Sequence, residues 1–168
     1  MVCEPANRIT RLTLTTCGNS LTHMNISAEQ IAFTLGGRQT LGRSVHNMRE
    51  LDALVRDGIP RVALDSFLKL LERSDAVPPQ LLRQKIVPRA TYQRAVTLNT
   101  QVSETTERLA RLYALALSVF EDPNAVVAFL MSPHPELGNQ APFDVALTEI
   151  GGREVEEVIE RGLHGLPA

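Results

Sequence analysis

The sequence predicts an all-α protein, and three observations carry that prediction. The run Ser103–Phe120, SETTERLARLYALALSVF, holds ten apolar residues in the twelve from Leu109 to Phe120. It contains no Gly or Pro, and Pro123 ends it soon after. An amphipathic surface helix would keep a polar stripe, so a run apolar nearly all round reads as a helix packed on several sides. Aromatic residues make up only 4% with no Trp, while Ala and Leu are plentiful, which favours helices. No stretch alternates apolar and polar residues as a half-buried strand would.

The elements follow from caps and periodicity. Residues 1–25 show no clear period and read as a mobile arm or as the product of a start codon placed too early. In Ile26–Leu35, Ser27 is an N-cap with Gln30 three residues on, and Gly36-Gly37 stops the helix. Gly36–Arg43 reads as a loop: no strand precedes its glycines and no Lys-Ser/Thr follows, so it is no phosphate cradle. Asn47–Asp57 spaces Met48, Leu51, Leu54 and Val55 helically, and Gly58 stops it. Pro60 sits at the first position of the next helix, which runs through Glu72. Arg73–Asp75 is a polar turn. Pro79 opens a short helix through Lys85, and Pro88 starts another from Arg89 to about Leu98.

The central helix takes Ser103 as its N-cap. Its eighteen residues equal a membrane span in length, but Glu104, Glu107, Arg108 and Arg111 make it a helix in water. Asn124–Met131 is a short helix, Ser132–Pro135 a rigid turn, and Pro142–Leu147 another short helix. Thr148 caps a last helix to about Arg161, with Val155, Val158, Ile159 and Leu163 on one face and a strongly acidic side opposite.

Charge is unevenly divided. Residues 1–120 carry 15 basic and 10 acidic side chains, and residues 121–168 carry 2 and 9. Net charges of +5 and −7 suggest two surfaces with different partners. Of the 17 basic residues only Lys69 and Lys85 are lysines; arginine suits bidentate contacts, although genomic base composition gives the same skew.

Catalytic chemistry finds no foothold. His23, His46, His134 and His164 are dispersed without metal-ligand spacing, and no G-x-S-x-G elbow occurs. Cys3 and Cys17 form neither a disulfide framework nor a metal motif, which is the usage of a cytoplasmic protein. The N-terminal region lacks a compact apolar core for a signal peptide or anchor. We expect no enzyme, no cofactor, no metal and no membrane.

The two short helices around Ile86–Pro88 have the layout of a helix-turn-helix. Residues 76–102 contain Arg83, Lys85, Arg89 and Arg94 and no acid. Arg89, Thr91, Gln93 and Arg94 begin the second helix, where base edges would be read: Arg suits guanine, Gln adenine, and Thr a phosphate or thymine methyl. A helical hairpin with a basic face gives the same pattern.

VPRATYQRA (87–95) and ERLARLYALA (107–116) resemble the helix-turn-helix and following helix of Xre/MbcA/ParS-type antitoxins. Leu137-Gly138, Pro142, Asp144, Leu147-Thr148-Glu149 and Gly151 resemble that family's "LGG..P.DLL.TE.G" signature, and VEEVIERGLHGLPA (155–168) is similar to its usual ending. The likeness runs through roughly residues 49–168.

It implies an Xre-like helix-turn-helix bundle joined by a long central helix to a small C-terminal toxin-binding domain. The domains would be an arm with one short helix (1–45), the helix-turn-helix and dimerisation part (46–102), and the central helix with the antitoxin part (103–168). It implies a type II toxin–antitoxin module whose partner is a cognate RES-domain toxin that uses or depletes NAD. The C-terminal element would occlude the toxin's active-site entrance, while the helix-turn-helix part supports a homodimer and binds operator DNA for autoregulation. Toxin contacts would fall on Arg153, Glu157, Glu160, Arg161, His164, Gly165 and Leu166. The alternative is a stand-alone dimeric helix-turn-helix regulator.

The chain also departs from the family. Ala90 and Ala95 stand where arginines are usual, removing two possible phosphate contacts and lowering affinity and salt dependence. Asn139 replaces the second Gly of the "LGG" turn, and Asn tolerates positive φ. Gly162 replaces a branched apolar residue, and Phe129 stands where Trp is common.

Overall fold

The structure, a computed structural model, describes residues 26–72 and 78–163. The expected arm (1–25), the polar turn at 73–75 and residues 164–168 lie outside them. The regular elements among the described residues are all helices, with isolated backbone bridges Pro60–Thr97 and His134–Gln140 and no strand.

In chain order the helices are α1 (Ala28–Thr34), α2 (Gly37–Leu41), α3 (Met48–Asp57), α4 (Arg61–Leu71), α5 (Pro79–Ile86) and α6 (Arg89–Arg94). They continue as α7 (Thr100–Phe120), α8 (Pro123–Met131), α9 (Pro142–Val145) and α10 (Glu149–Leu163), with one 3-10 turn at Pro135–Leu137. Ser27 and Gln30 form the capping box on α1, and the Asn47 side chain caps α3. α2 corrects the loop expected over 36–43. Gly36 turns through φ +93°, and the Thr40 hydroxyl donates to the carbonyls of Leu35 and Gly37, closing a turn of helix.

α7 is the axis of the molecule. It packs against α1, α3, α5, α8 and α10, and buries Leu109, Ala110, Leu112, Tyr113, Ala114, Leu115 and Ala116. One apolar core joins it to Ile31, Leu35, Leu64, Phe67, Leu71 and Val155, with Phe67 edge-on to Tyr113 at 6.2 Å. Residues 26–45 belong to that core through Ile26, Ile31, Leu35, Leu41 and Val45.

Two boundaries differ from the expectation, for one reason. Ser103 does not cap α7. Asn99 does, accepting from the Val102 N–H at 2.9 Å. Ser103 lies inside the helix, fully buried, and its hydroxyl accepts the Ile59 N–H at 2.9 Å. α6 ends at Arg94 rather than near Leu98, because residues 96–98 run alongside 59–61. Arg61 N–H donates to Val96 C=O at 3.0 Å and Leu98 N–H to Ile59 C=O at 2.8 Å. The linker between α3 and α4 would otherwise bury unpaired backbone groups, and the β-branched Val96 and Thr97 supply an extended partner. Gly58, at φ +96°, allows the approach: a Cβ there would lie 2.4 Å from the Leu98 carbonyl oxygen.

Candidate partner-binding surfaces

α10 is set on α7 by a buried arginine. Arg108 is only 8% exposed. Its Nε donates to Glu149 Oε2 at 2.9 Å, and one terminal nitrogen donates to the carbonyls of Ala146 and Leu147 at 3.3 and 3.2 Å. A buried guanidinium is tolerated only when its donors find acceptors, and these are the uncovered carbonyls just before α10. The Arg108 hydrogen bond holds the Glu149 carboxyl below the usual carboxylate range. Arg111 adds a second tie, pairing with Glu156 of α10 and with Glu107 at 3.4 Å. Burial pushes the Glu107 carboxyl up, against the pull of Arg111 and Arg108.

The start of α10 needs two glycines. Thr148 caps the helix, its hydroxyl accepting the Gly151 N–H at 3.1 Å. A Cβ on Gly151 would lie 2.1 Å from the Val145 carbonyl oxygen, and one on Gly152 would lie 2.5 Å from Arg108 Cδ. The close approach places Val155, Val158 and Ile159 inward, leaving Ile150, Arg153, Glu154, Glu157 and Arg161 on the exposed side. Ahead of it, Gly138 (φ +64°) and Asn139 (φ +57°) make the tight turn, so Asn replaces Gly there as expected.

The residues expected to contact a toxin are divided by the fold. Arg153 and Glu157 lie in one exposed stripe with Arg161, four residues apart. Arg153 pairs with Glu149 at 3.4 Å, and Arg161 with Glu136 of the 3-10 turn. Glu160 is half-buried. His164, Gly165 and Leu166 lie outside the described residues.

The basic residues of the helix-turn-helix also separate. α6 buries none of its residues, and Arg89, Thr91, Gln93 and Arg94 are exposed along it. Its anchor is Tyr92, whose hydroxyl donates to Asp65 at 2.6 Å and whose ring is flanked by the guanidiniums of Arg83 at 4.4 Å and Arg61 at 5.1 Å. Arg83 is thereby held against α4 and α6, although it lines one groove with Arg89 and Gln93. Lys85 points the other way. Its Nζ lies 2.6 Å from Asp144 Oδ1 of α9, and it lines a groove with Thr91 and Leu147.

Sequence reasoning missed Arg108, Tyr92, Asp65, Glu136 and Glu149 as positioning residues. Arg108 sits beside Glu107 at the edge of the apolar run, and nothing local sets it apart from Arg111. Nothing local marks Asp65 or Glu136, whose partners are 27 and 25 residues away.

Residues 115–165, from the last turns of α7 through α10, match the family model of the antitoxin Xre/MbcA/ParS C-terminal toxin-binding domain. The match supports an antitoxin of this family. It covers less than half of the chain, and it includes the Gly138–Asn139 turn, α9 and the Gly151–Gly152 seat of α10. No curated protein matches the chain. Among the described residues no helix is long and apolar enough to cross a membrane, and no group of His, Cys, Asp and Glu is placed to hold a metal ion.

Proposed function

We propose that the chain is the antitoxin of a type II module whose cognate toxin is a RES-domain protein that uses or depletes NAD. It acts by steric and charge complementarity, without chemistry of its own. α10 and the residues that follow it cover the toxin's active-site entrance, with contacts from Arg153, Glu157, Glu160, Arg161, His164, Gly165 and Leu166. The match of residues 115–165 to a toxin-binding domain carries this reading. The outward charged face of α10 supports it, because a helix anchored on one side can offer the other to a partner.

A second activity belongs to the helix-turn-helix. As a homodimer in the cytoplasm the chain binds its own operator, α6 entering the major groove with Arg89, Thr91, Gln93 and Arg94. The exposure of all four side chains favours this. Arg83 and Lys85 contribute less, since each must first leave an acidic partner, Asp65 or Asp144.

Arg89→Ala with Arg94→Ala tests the division of labour. Operator affinity should fall and the slope of log affinity against log salt should flatten by roughly two, with toxin binding unchanged. Equal loss of both activities would make α6 structural. Operator binding without any toxin complex would favour a stand-alone regulator.

A further inference from the structure

α10 presents one large apolar side chain to solvent at the start of its charged face. Ile150 is 74% exposed, whereas Val155, Val158 and Ile159 on the inner side are buried. Helical spacing places Arg153, Glu154, Glu157 and Arg161 on the same side as Ile150, at three, four, seven and eleven residues beyond it, and all are exposed. Ile150 cannot turn inward. The Thr148 cap, the Gly151 contact with the Val145 carbonyl and the Arg108 bonds fix the rotation of the first turn.

Folding gives no reason for isoleucine at this position. A β-branched residue loses χ1 freedom in a helix, and an acidic residue would suit the positive end of the helix dipole better. Solvent exposure adds no burial to offset either term. Single exposed apolar side chains are ordinary, and Phe33 and Val96 are others; what sets Ile150 apart is its place on α10 inside the segment that matches a toxin-binding domain.

Resting on the antitoxin reading above, we propose that Ile150 is the apolar anchor of the toxin contact, seated in a socket with an apolar floor and a basic rim. Two observations choose that occupant. Ile150 lies within residues 115–165, which match a toxin-binding domain, and continues the α10 face already assigned to the toxin. Arg153 and Arg161 of this face already pair with Glu149 and Glu136, whereas Glu154 and Glu157, one and two turns beyond Ile150, are exposed and in no ion pair among the described residues, so the complementary rim is basic. The arrangement, one apolar side chain ringed by charge, is that of an interface hot spot. Ile150 lies roughly 20 Å along the axis from the end of α10 at 1.5 Å per residue. The contact therefore runs the length of the helix and is not confined to the chain's last residues.

The test uses the full-length chain and its RES-domain partner, with Ile150→Ala, Ile150→Glu and, as a control, Val96→Glu. Val96 is 86% exposed on the connection after α6, outside the matched segment. Ile150→Ala should weaken the complex about tenfold and Ile150→Glu more, as truncation of an anchor does. Val96→Glu should bind like the parent. The melting temperature of free Ile150→Glu should equal or exceed the parent's, because a carboxylate in the first turn favours the helix. Loss of binding can then not be assigned to unfolding. Reversing Glu154 and Glu157 to Lys should slow association, and a rate left unchanged would overturn the basic rim. Parent-like binding by both Ile150 variants overturns the anchor alone. A parent chain that forms no complex overturns the antitoxin reading, and the anchor with it.

Discussion

At the scale of single residues, Gly151 and Gly162, near the two ends of α10, illustrate what the fold demands. Gly151 faces the Val145 carbonyl, and any side chain there collides with backbone that has no room to yield. Gly162 meets nothing within 4 Å. Gly151→Ala should therefore destabilise the chain by about 1–3 kcal/mol through overpacking. Gly162→Ala should be neutral or stabilise it by up to about 1 kcal/mol, the difference in helix propensity. Urea unfolding of the two variants checks the contrast, and equal effects would deny the seat of α10. The sequence displays both glycines alike. Only the tertiary contact separates them, whereas the Asn139 turn could be read directly because positive φ is a property of the residue itself.

At the scale of elements, the helices were legible wherever local chemistry sets their ends. The capping box of α1, the stop of α3 at Gly58 and the proline opening α5 all stand where periodicity and caps place them. Ser103 and the end of α6 were not legible, because both depend on backbone groups near residue 59, more than thirty residues away in sequence. The charged half of α7 is another case. Arg108, Arg111 and Glu107 mark the helix as one in water, yet the two arginines pair with Glu149 and Glu156 of α10, and Glu107 pairs with Arg111.

Glu107 makes a pH prediction. Its carboxyl is raised because burial disfavours the charged form, so the ionised fold is penalised at neutral pH. The penalty is relieved as pH falls through the raised pKa toward the ordinary value of 4.5. Glu107→Gln should thus be at least as stable as the parent at pH 7, with the difference shrinking on acidification. Glu149 acts in the opposite sense, since its lowered pKa gives stability that is present above 4.5 and lost in acid. Chemical unfolding of Glu107→Gln and parent at two pH values separates the two. A variant markedly weaker at pH 7 would mean the Arg111 pair outweighs desolvation.

At the scale of the whole molecule, the charge asymmetry is partly internal. Lys85–Asp144, Arg108–Glu149 and Arg111–Glu156 each join the basic front of the chain to its acidic end. What remains outward includes Glu154 and Glu157 of α10 and the basic α6, the surfaces proposed above for toxin and operator. The sequence announced the imbalance but not which charges cancel, because pairing across 41 or more residues has no local signature. The most direct measurement is co-expression of the proposed RES-domain toxin with the full chain, or with a chain ending at Gly162, while following growth and cellular NAD. Truncation there spares Val155, Val158 and Ile159, which hold α10 on α7. The antitoxin account predicts that toxin alone stops growth and drains NAD, that the full chain restores both, and that the shortened chain protects poorly. Unrelieved toxicity in the presence of the full chain would contradict it.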